Sequence, residues 1–231
     1  MLPGRSGLAA MTMGAMAAAS LLLPFSLAAA QVLVLAGLAG HTVLAVLLLG
    51  LLGKGDLPMP VNPSLHLSFV GFIVAAPAAV GLGWTGLATA LFWVTLPVAV
   101  VIWALSAAQA FRALPPPPLR PMLAIHLAPA ALLASVAGLL GLDGIASGLL
   151  AAGTVYSVVL VISARWICTV GITPLWGAFT FPLAVFLRPQ CWGLPGSGSP
   201  RGLGWLRLPL GSIRPSCGGC LNAGPGASLR R

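Results

Sequence analysis

Acidic side chains are almost absent from this chain, whose 231 residues include two aspartates, Asp56 and Asp143, and no glutamate. Charged residues of both signs make up 6% of the sequence, whereas a soluble domain usually carries about a quarter. Hydrophobic residues make up 59%. Composition therefore excludes a water-soluble globular protein and predicts one that is surrounded by lipid.

The shortage of acids also limits the chemistry open to the chain. No acid lies inside an apolar run, whereas intramembrane proton relays and cation pores usually depend on acidic side chains. The sequence contains no HExxH, GxSxG or Walker pattern. Cys217 and Cys220 have CxxC spacing but no second ligand pair. We therefore expect no enzyme, no catalytic residue, no cofactor and no metal site.

The only imidazoles are those of His41, His66 and His126, and each lies in or at the edge of an apolar run. A proton relay would need partners for these side chains, and the sequence reveals none. We expect each histidine to hydrogen-bond with a neighbouring helix, and a relay is the alternative.

The chain does contain a series of apolar runs, and a hydrocarbon core about 30 Å thick requires about 20 such residues in a helix. Backbone polar groups in lipid must be paired, and the alternating pattern of barrel strands is absent, so the runs predict helices. The predicted fold class is all-α, a polytopic membrane protein of repeated transmembrane helical hairpins with about 6–7 spans. The segments cover residues 7–23, 28–52, 65–82, 84–111, 121–142, 145–167 and 174–187.

The net charge of +9 comes from single Arg and Lys residues. They form no stripe of the kind that a phosphate backbone requires, which excludes nucleic acid as a partner. Every second connection carries positive charge, whereas the turns near Pro24 and Gly83 carry none and the turn after the fifth segment carries Asp143. By the positive-inside rule, the N-terminus and the basic connections are cytoplasmic. The basic residues assigned to this side are Arg5, Lys54, Arg112, Arg120 and Arg165.

Prolines recur at a regular interval, with Pro77, Pro129 and Pro182 spaced 52 and 53 residues apart. A proline inside a membrane helix kinks it and frees a carbonyl, which neighbouring helices or a cavity must satisfy. The spacing favours a repeated hairpin whose first helix is kinked and faces a centre. Pro97 breaks the rule, and the alternative is that proline is simply common in membrane helices.

The composition changes abruptly after Leu187. Residues 188–231 are rich in Gly, Pro, Ser and Arg and contain no apolar run able to span a bilayer, so they cannot fold alone. The sequence predicts a transmembrane helical-hairpin domain over residues 1–187 and a disordered tail over residues 188–231. Because the change falls inside an unfinished apolar segment, we expect a shifted reading frame, and a genuine basic tail is the alternative.

Three stretches resemble the tellurite-resistance/dicarboxylate transporter family, which includes bacterial tellurium-resistance proteins and plant slow anion channels. Arg120-Pro-Met-Leu-Ala-Ile-His126-Leu-Ala-Pro129-Ala-Ala resembles its Ala-Pro-Ala helix. Leu175-Trp176-Gly-Ala-Phe179-Thr-Phe181-Pro182-Leu-Ala resembles its late-helix pattern W-x-[AS]-[FY]-[ST]-F-[PG]. A stretch that begins His66-Leu-Ser-Phe-Val-Gly-Phe resembles its fifth helix.

The resemblance implies ten helices in five hairpins around a pseudo-five-fold axis, often within a homotrimer. It also implies that the inner helices line an anion pore and that Pro77, Pro129 and Pro182 are the kinks of pore-lining helices. Phe181 is the implied pore gate, and the alternatives are that Phe179 takes this position or that Phe181 is ordinary packing. The resemblance covers residues 1–186. It places them from the family's third helix to its ninth, and the resemblance thus implies a truncated member.

The resemblance implies a fragment of a tellurium-resistance-type anion channel or transporter. Its partners would be a small inorganic or organic anion and the lipid bilayer, and its location the bacterial inner membrane. The alternative is a non-transporting integral membrane subunit or an inactive gene fragment. A polytopic transferase would require a polar cluster at one interface, and the sequence contains none.

The predicted topology can be tested with single cysteines in a cysteine-free background. Ala113→Cys lies in the loop that holds Arg112 and Arg120, and Thr85→Cys lies beside the uncharged Gly83 turn. In intact cells a membrane-impermeant thiol reagent should label Thr85→Cys alone, because the basic loop faces the cytoplasm. Labelling of Ala113→Cys alone would invert the topology.

Overall fold

The computed structural model describes residues 3–53, 63–171 and 176–186. All of the regular elements among these residues are helical, in agreement with the predicted all-α class. The predicted tail, with three of the four cysteines, lies outside the described residues, as do Lys54 and Asp56.

Eight helical elements follow one another along the described chain, and two of them are composite. α3 is a π turn, a 3-10 turn and an α turn in succession, whereas α5 is a long 3-10 segment followed by an α-helix. The elements are α1 (Pro3–Leu22), α2 (Leu27–Gly53), α3 (His66–Gly81), α4 (Thr85–Arg112), α5 (Pro117–Leu139), α6 (Asp143–Ile162), α7 (Ala164–Ile167) and α8 (Gly177–Phe186).

Four of these helices, α2, α4, α5 and α6, are long and apolar enough to cross a membrane. Three shorter apolar helices accompany them, at Leu8–Leu22, His66–Gly81 and Gly177–Phe186. All seven lie within a few residues of the predicted segments. The sixth predicted segment is divided at Ser163, where α6 ends and α7 begins.

The irregular helices are more buried than the regular long helices. The most apolar stretch of α5 is 72% buried, whereas those of α2 and α4 are 28% buried and that of α6 is 6% buried. α3 is also largely buried, including both of its non-α turns. A backbone that departs from the α-helix is tolerated at membrane depth only when protein surrounds it, which explains why α3 and α5 are central.

Small side chains allow the central helices to approach closely. α3, α4 and α5 share a core in which alanine is the commonest residue, completed by Phe92 and Leu133, both fully buried. α1 and α2 pack on the other side of α3 around Met16 and Val34. Apolar lipid provides little hydrophobic driving force, so close backbone packing of this kind holds membrane helices together.

The turns after α3 and α5 have the same conformation. Gly83 and Gly141 have φ values of 79° and 76°, which glycine adopts without strain. Each turn closes with two backbone hydrogen bonds of the Schellman type, Trp84 to Ala79 and Gly83 to Val80 in one, Leu142 to Ala137 and Gly141 to Gly138 in the other. A shared L-G-x-x-G pattern, Leu82 to Gly86 and Leu140 to Gly144, is the signal in the sequence for this likeness.

Gly71 of α3 should be required for the close packing of α3 against α1 and α2. A Cβ at Gly71 would lie 2.8 Å from the imidazole of His41 and 3.0 Å from the sulfur of Met13. His41 is fully buried and its Nδ1 lies 2.7 Å from the hydroxyl of Thr12, so the ring cannot move away freely. We expect Gly71→Ala to destabilise the protein by about 1–3 kcal/mol, measured by thermal unfolding in detergent.

Gly86→Ala is the matched control, because nothing lies within 4 Å of a Cβ at that helical position. It should leave stability unchanged or raise it by about 0.5–1 kcal/mol, the usual gain from alanine in a helix. Equal midpoints for Gly71→Ala and the unsubstituted protein would contradict the proposed contact.

Candidate functional site

Two cavities, which we call the central cavities, are lined by residues of α1, α3, α5 and α8. Cavity A has a volume of about 130 Å³, and its lining includes Ser20 of α1, Pro77 of α3 and Ser135 of α5. Cavity B has a volume of about 10 Å³, and its lining includes Met13 of α1 and His66 of α3. A single water needs about 10–15 Å³, so cavity B has room for about one water.

Phe181 of α8 and Leu132 of α5 line both cavities. Phe181 is 36% exposed although α8 packs against α5, which is consistent with a ring that borders open space. These two apolar side chains therefore stand where one cavity ends and the other begins. Leu132 was not predicted as a site residue, but its position three residues after Pro129, on the same helix face, is a signal that the sequence offers.

Phe179, two residues earlier on α8, has a different environment. Its ring packs on Trp176 with the centroids 5.9 Å apart, and it is absent from the described linings of cavities A and B. The two phenylalanines of the late-helix pattern are thus distinguished by position, and Phe181 is the one at the central cavities.

The three predicted kink prolines differ in their surroundings. Pro77 lines cavity A and Pro129 lines cavity B. Pro182 is buried on α8 and belongs to neither of these described linings. Pro77 stands at the start of the α turn of α3, where the preceding 3-10 turn lets Ala76 donate its N–H to the carbonyl of Ile73. The backbone thus compensates locally for the N–H that proline lacks.

Two of the three histidines form a hydrogen bond with each other. Nε2 of His66 in α3 lies 2.9 Å from Nδ1 of His126 in α5, and both side chains are buried. The third, His41 of α2, pairs with Thr12 of the neighbouring α1, as expected for a histidine that joins two helices. The mutual pair was not predicted, because the two imidazoles are 60 residues apart in sequence.

Aromatic side chains enclose the histidine pair. The ring of Trp103 lies 5.6 Å from that of His66, and its indole N–H donates to the His126 carbonyl at 3.2 Å. Tyr156 of α6 lies 6.1 Å from the His126 ring and donates its hydroxyl to the Leu123 carbonyl at 2.9 Å. The outer helices α4 and α6 therefore hold α5 around the pair by specific hydrogen bonds.

Each histidine of the pair keeps one further nitrogen, Nδ1 of His66 and Nε2 of His126, that has no hydrogen-bond partner among the described residues. Two neutral imidazoles share one proton between them. If His66 donates, its own outer nitrogen is an acceptor and that of His126 is a donor, and the reverse tautomer exchanges these roles. The pair thus always presents one donor and one acceptor at its ends.

Arg120 joins two segments that are far apart in the sequence. Its guanidinium donates to the carbonyl of Trp166 at 3.0 Å and to that of Pro115 at 3.3 Å, and it lies 4.1 Å above the Trp166 ring. The loop after α4 and the region after α6 therefore meet at one end of the structure. That is where the alternating-charge prediction places both, and the side of the membrane stays a prediction.

The site offers neutral polar groups in an apolar setting. The described linings of cavities A and B contain no charged side chain, and no three His, Cys, Asp or Glu residues meet within the described ranges. Ser135 donates its hydroxyl to the Ala131 carbonyl at 2.8 Å. The described surroundings of both cavities are therefore apolar or neutral, with His66 as the one imidazole in these linings.

Fold and site together define a helical protein with several apolar helices that could cross a membrane, arranged around narrow central cavities. No protein-family model matches this chain, and no curated protein matches it either. The family resemblance is therefore carried by the quoted motifs alone.

The contribution of the histidine pair to stability can be measured by a double-mutant cycle. His66→Phe and His126→Phe should each destabilise the protein by about 1–3 kcal/mol, because each strands a buried nitrogen of the other ring. The double variant should cost less than the sum of the single changes, since it strands neither. Strict additivity of the unfolding free energies in detergent would contradict the hydrogen bond.

Proposed function

We propose that this chain is an anion channel or transporter of the tellurite-resistance type, with a pathway between α1, α3, α5 and α8 and Phe181 as its gate. The observation that carries the proposal is the position of Phe181. A motif that resembles the family's late helix identified this residue, and its side chain lies between two central cavities.

The lining is compatible with an anion and lacks the acidic side chains of a cation pathway. The described residues around both cavities are apolar or neutral, with the hydroxyls of Ser20 and Ser135 at cavity A. Cation pathways usually present rings of acidic side chains, and the whole sequence holds only two acids. An anion in a pathway of this kind would meet no repulsion from negative side chains.

The small volume of cavity B supports a closed gate. An ion that enters an apolar constriction loses hydration without compensation, so a ring that narrows the pathway is an effective barrier. Cavity B offers about 10 Å³ beside Phe181 and Leu132. In this proposal, conduction begins when the Phe181 ring moves toward cavity A, which has about 130 Å³ of free volume.

The proposal extends to location and assembly. The protein would lie in the bacterial inner membrane with its N-terminus in the cytoplasm. The positive-inside rule places the loop that holds Arg112 and Arg120 on the same side. A homotrimer is the assembly that the family resemblance implies. The regular repeat of inner and outer helices is also part of the proposal, supported by the shared turns at Gly83 and Gly141.

Replacement of the gate is the direct test. We expect Phe181→Ala to raise anion flux by about tenfold or more, which corresponds to a barrier lowered by about 1.4 kcal/mol. Flux of chloride, nitrate and tellurite is measured from liposomes that contain equal amounts of purified protein. Leu132→Ala should also raise flux, because Leu132 borders the same two cavities.

Phe179→Ala is the matched control. It removes an identical ring from the same helix, but that ring packs on Trp176 away from the described cavities, so it should alter stability more than flux. Equal flux through Phe181→Ala and the unsubstituted protein would refute the gate. No anion flux from any variant would favour a non-transporting membrane subunit.

A further inference from the structure

A third cavity lies away from the centre, between the outer helices α4 and α6 and above α5. We call it the lateral cleft. It has a volume of about 350 Å³, and its lining includes Trp103, Ser106 and Ala107 of α4, His126 of α5, and Tyr156 of α6. Sites for drug-sized ligands usually have volumes of about 300–1,000 Å³, so the lateral cleft is large enough to hold one.

The lateral cleft has an exposed mouth and a buried floor. Three exposed alanines, Ala107, Ala110 and Ala152, form the mouth, and His126 and Ala130 are on the floor, 6% and 5% exposed. α4 and α6 are also among the least buried of the candidate spans. In a bilayer, a molecule would therefore enter this cleft from the hydrocarbon region.

Two residues that line the lateral cleft each have a buried polar atom without a hydrogen-bond partner among the described residues. These atoms are the hydroxyl of Ser106 and Nε2 of His126. A buried polar group without a partner costs about 1–3 kcal/mol, so a ligand that bonds to either would be favoured. Rotation about χ1 moves a serine hydroxyl from one staggered position to another, which lets Ser106 meet a ligand without backbone movement.

The remaining polar atoms at the lateral cleft are already occupied. The indole N–H of Trp103 and the hydroxyl of Tyr156 both donate to backbone carbonyls of α5, so these residues offer ring surface. The described residues that line the cleft include no charged side chain. An ionic headgroup would lose its hydration there without compensation, whereas a neutral oxygen would gain a partner.

We propose that the lateral cleft binds an uncharged, lipid-soluble molecule whose apolar body lies against Trp103 and Tyr156 and whose carbonyl or hydroxyl oxygen bonds to Ser106 or His126. Both tautomers of the histidine pair accommodate such a ligand: a carbonyl oxygen accepts from Nε2–H of His126, and a hydroxyl donates to the unprotonated form. Isoprenoid quinones and diacylglycerols share this chemistry, and the two sources are distinguished by experiment. The proposal does not depend on anion transport.

The test is photo-crosslinking of the full chain in lipid nanodiscs. One arm uses a photoreactive isoprenoid quinone, the second a photoreactive diacylglycerol, and the third a photoreactive phosphatidylglycerol as the charged comparison. Labelled peptides are mapped by mass spectrometry. We expect a neutral probe to label the parts of α4 and α6 around Ala107 and Tyr156, to saturate with probe concentration, and to be displaced by unlabelled compound.

Three variants test whether this labelling arises in the lateral cleft. Ala107→Phe fills the mouth and should reduce saturable labelling by about tenfold or more. Ala108→Phe adds the same ring to the next position of α4, which is exposed and absent from the described lining, and should leave labelling unchanged. Ser106→Ala should weaken by about fivefold the binding of a probe that bonds to Ser106, the effect of one lost hydrogen bond, whereas unchanged binding would assign the oxygen to His126.

The outcomes separate clearly. Saturable labelling by the quinone, by the diacylglycerol or by both supports the site and identifies the source of its ligand. Labelling that is spread over the lipid-facing helices, that is insensitive to Ala107→Phe, or that is equally strong with phosphatidylglycerol would overturn it. If Ala107→Phe does not insert into the membrane, the absence of saturable labelling in the unsubstituted protein would likewise overturn it.

Discussion

The need to pair every backbone polar group without water is the constraint on which this structure depends. α3 and α5 depart from the α-helix over their first turns, which leaves peptide groups that lipid cannot satisfy. Such segments must be enclosed by protein, so the regular helices α2, α4 and α6 lie outside them. The division into central and peripheral helices, and hence the central cavities, follows from that requirement.

The histidine pair stands where these central elements meet. His66 belongs to the π turn of α3, and His126 ends the 3-10 segment of α5. Their hydrogen bond joins the irregular parts of the two helices, and bonds from Trp103 and Tyr156 to α5 join the outer helices to the same region. Cavity B and the lateral cleft lie on the two sides of this pair, with His66 in one lining and His126 in the other.

Much of the architecture could be predicted from sequence because membrane helices are specified by long apolar runs. The bounds of α2 and α4 agree with prediction to one residue at each end. The irregular backbone of α3 and α5 could not be predicted, because it depends on the neighbours that enclose it. Pro97 lies within a regular outer helix, whereas Pro77 and Pro129 border central cavities. The same residue type thus occurs in both settings, and the sequence alone does not distinguish them.

The sequence by itself indicated a protein surrounded by lipid, since two acids and 59% hydrophobic residues leave few charged groups for a surface in water. It also determined the helical class and the motif that singles out Phe181. Only the tertiary structure decided that Phe181 rather than Phe179 borders the central cavities, that Leu132 stands beside it, and that His66 meets His126. These relations join residues far apart in the chain, and they arise from packing, which local composition does not encode.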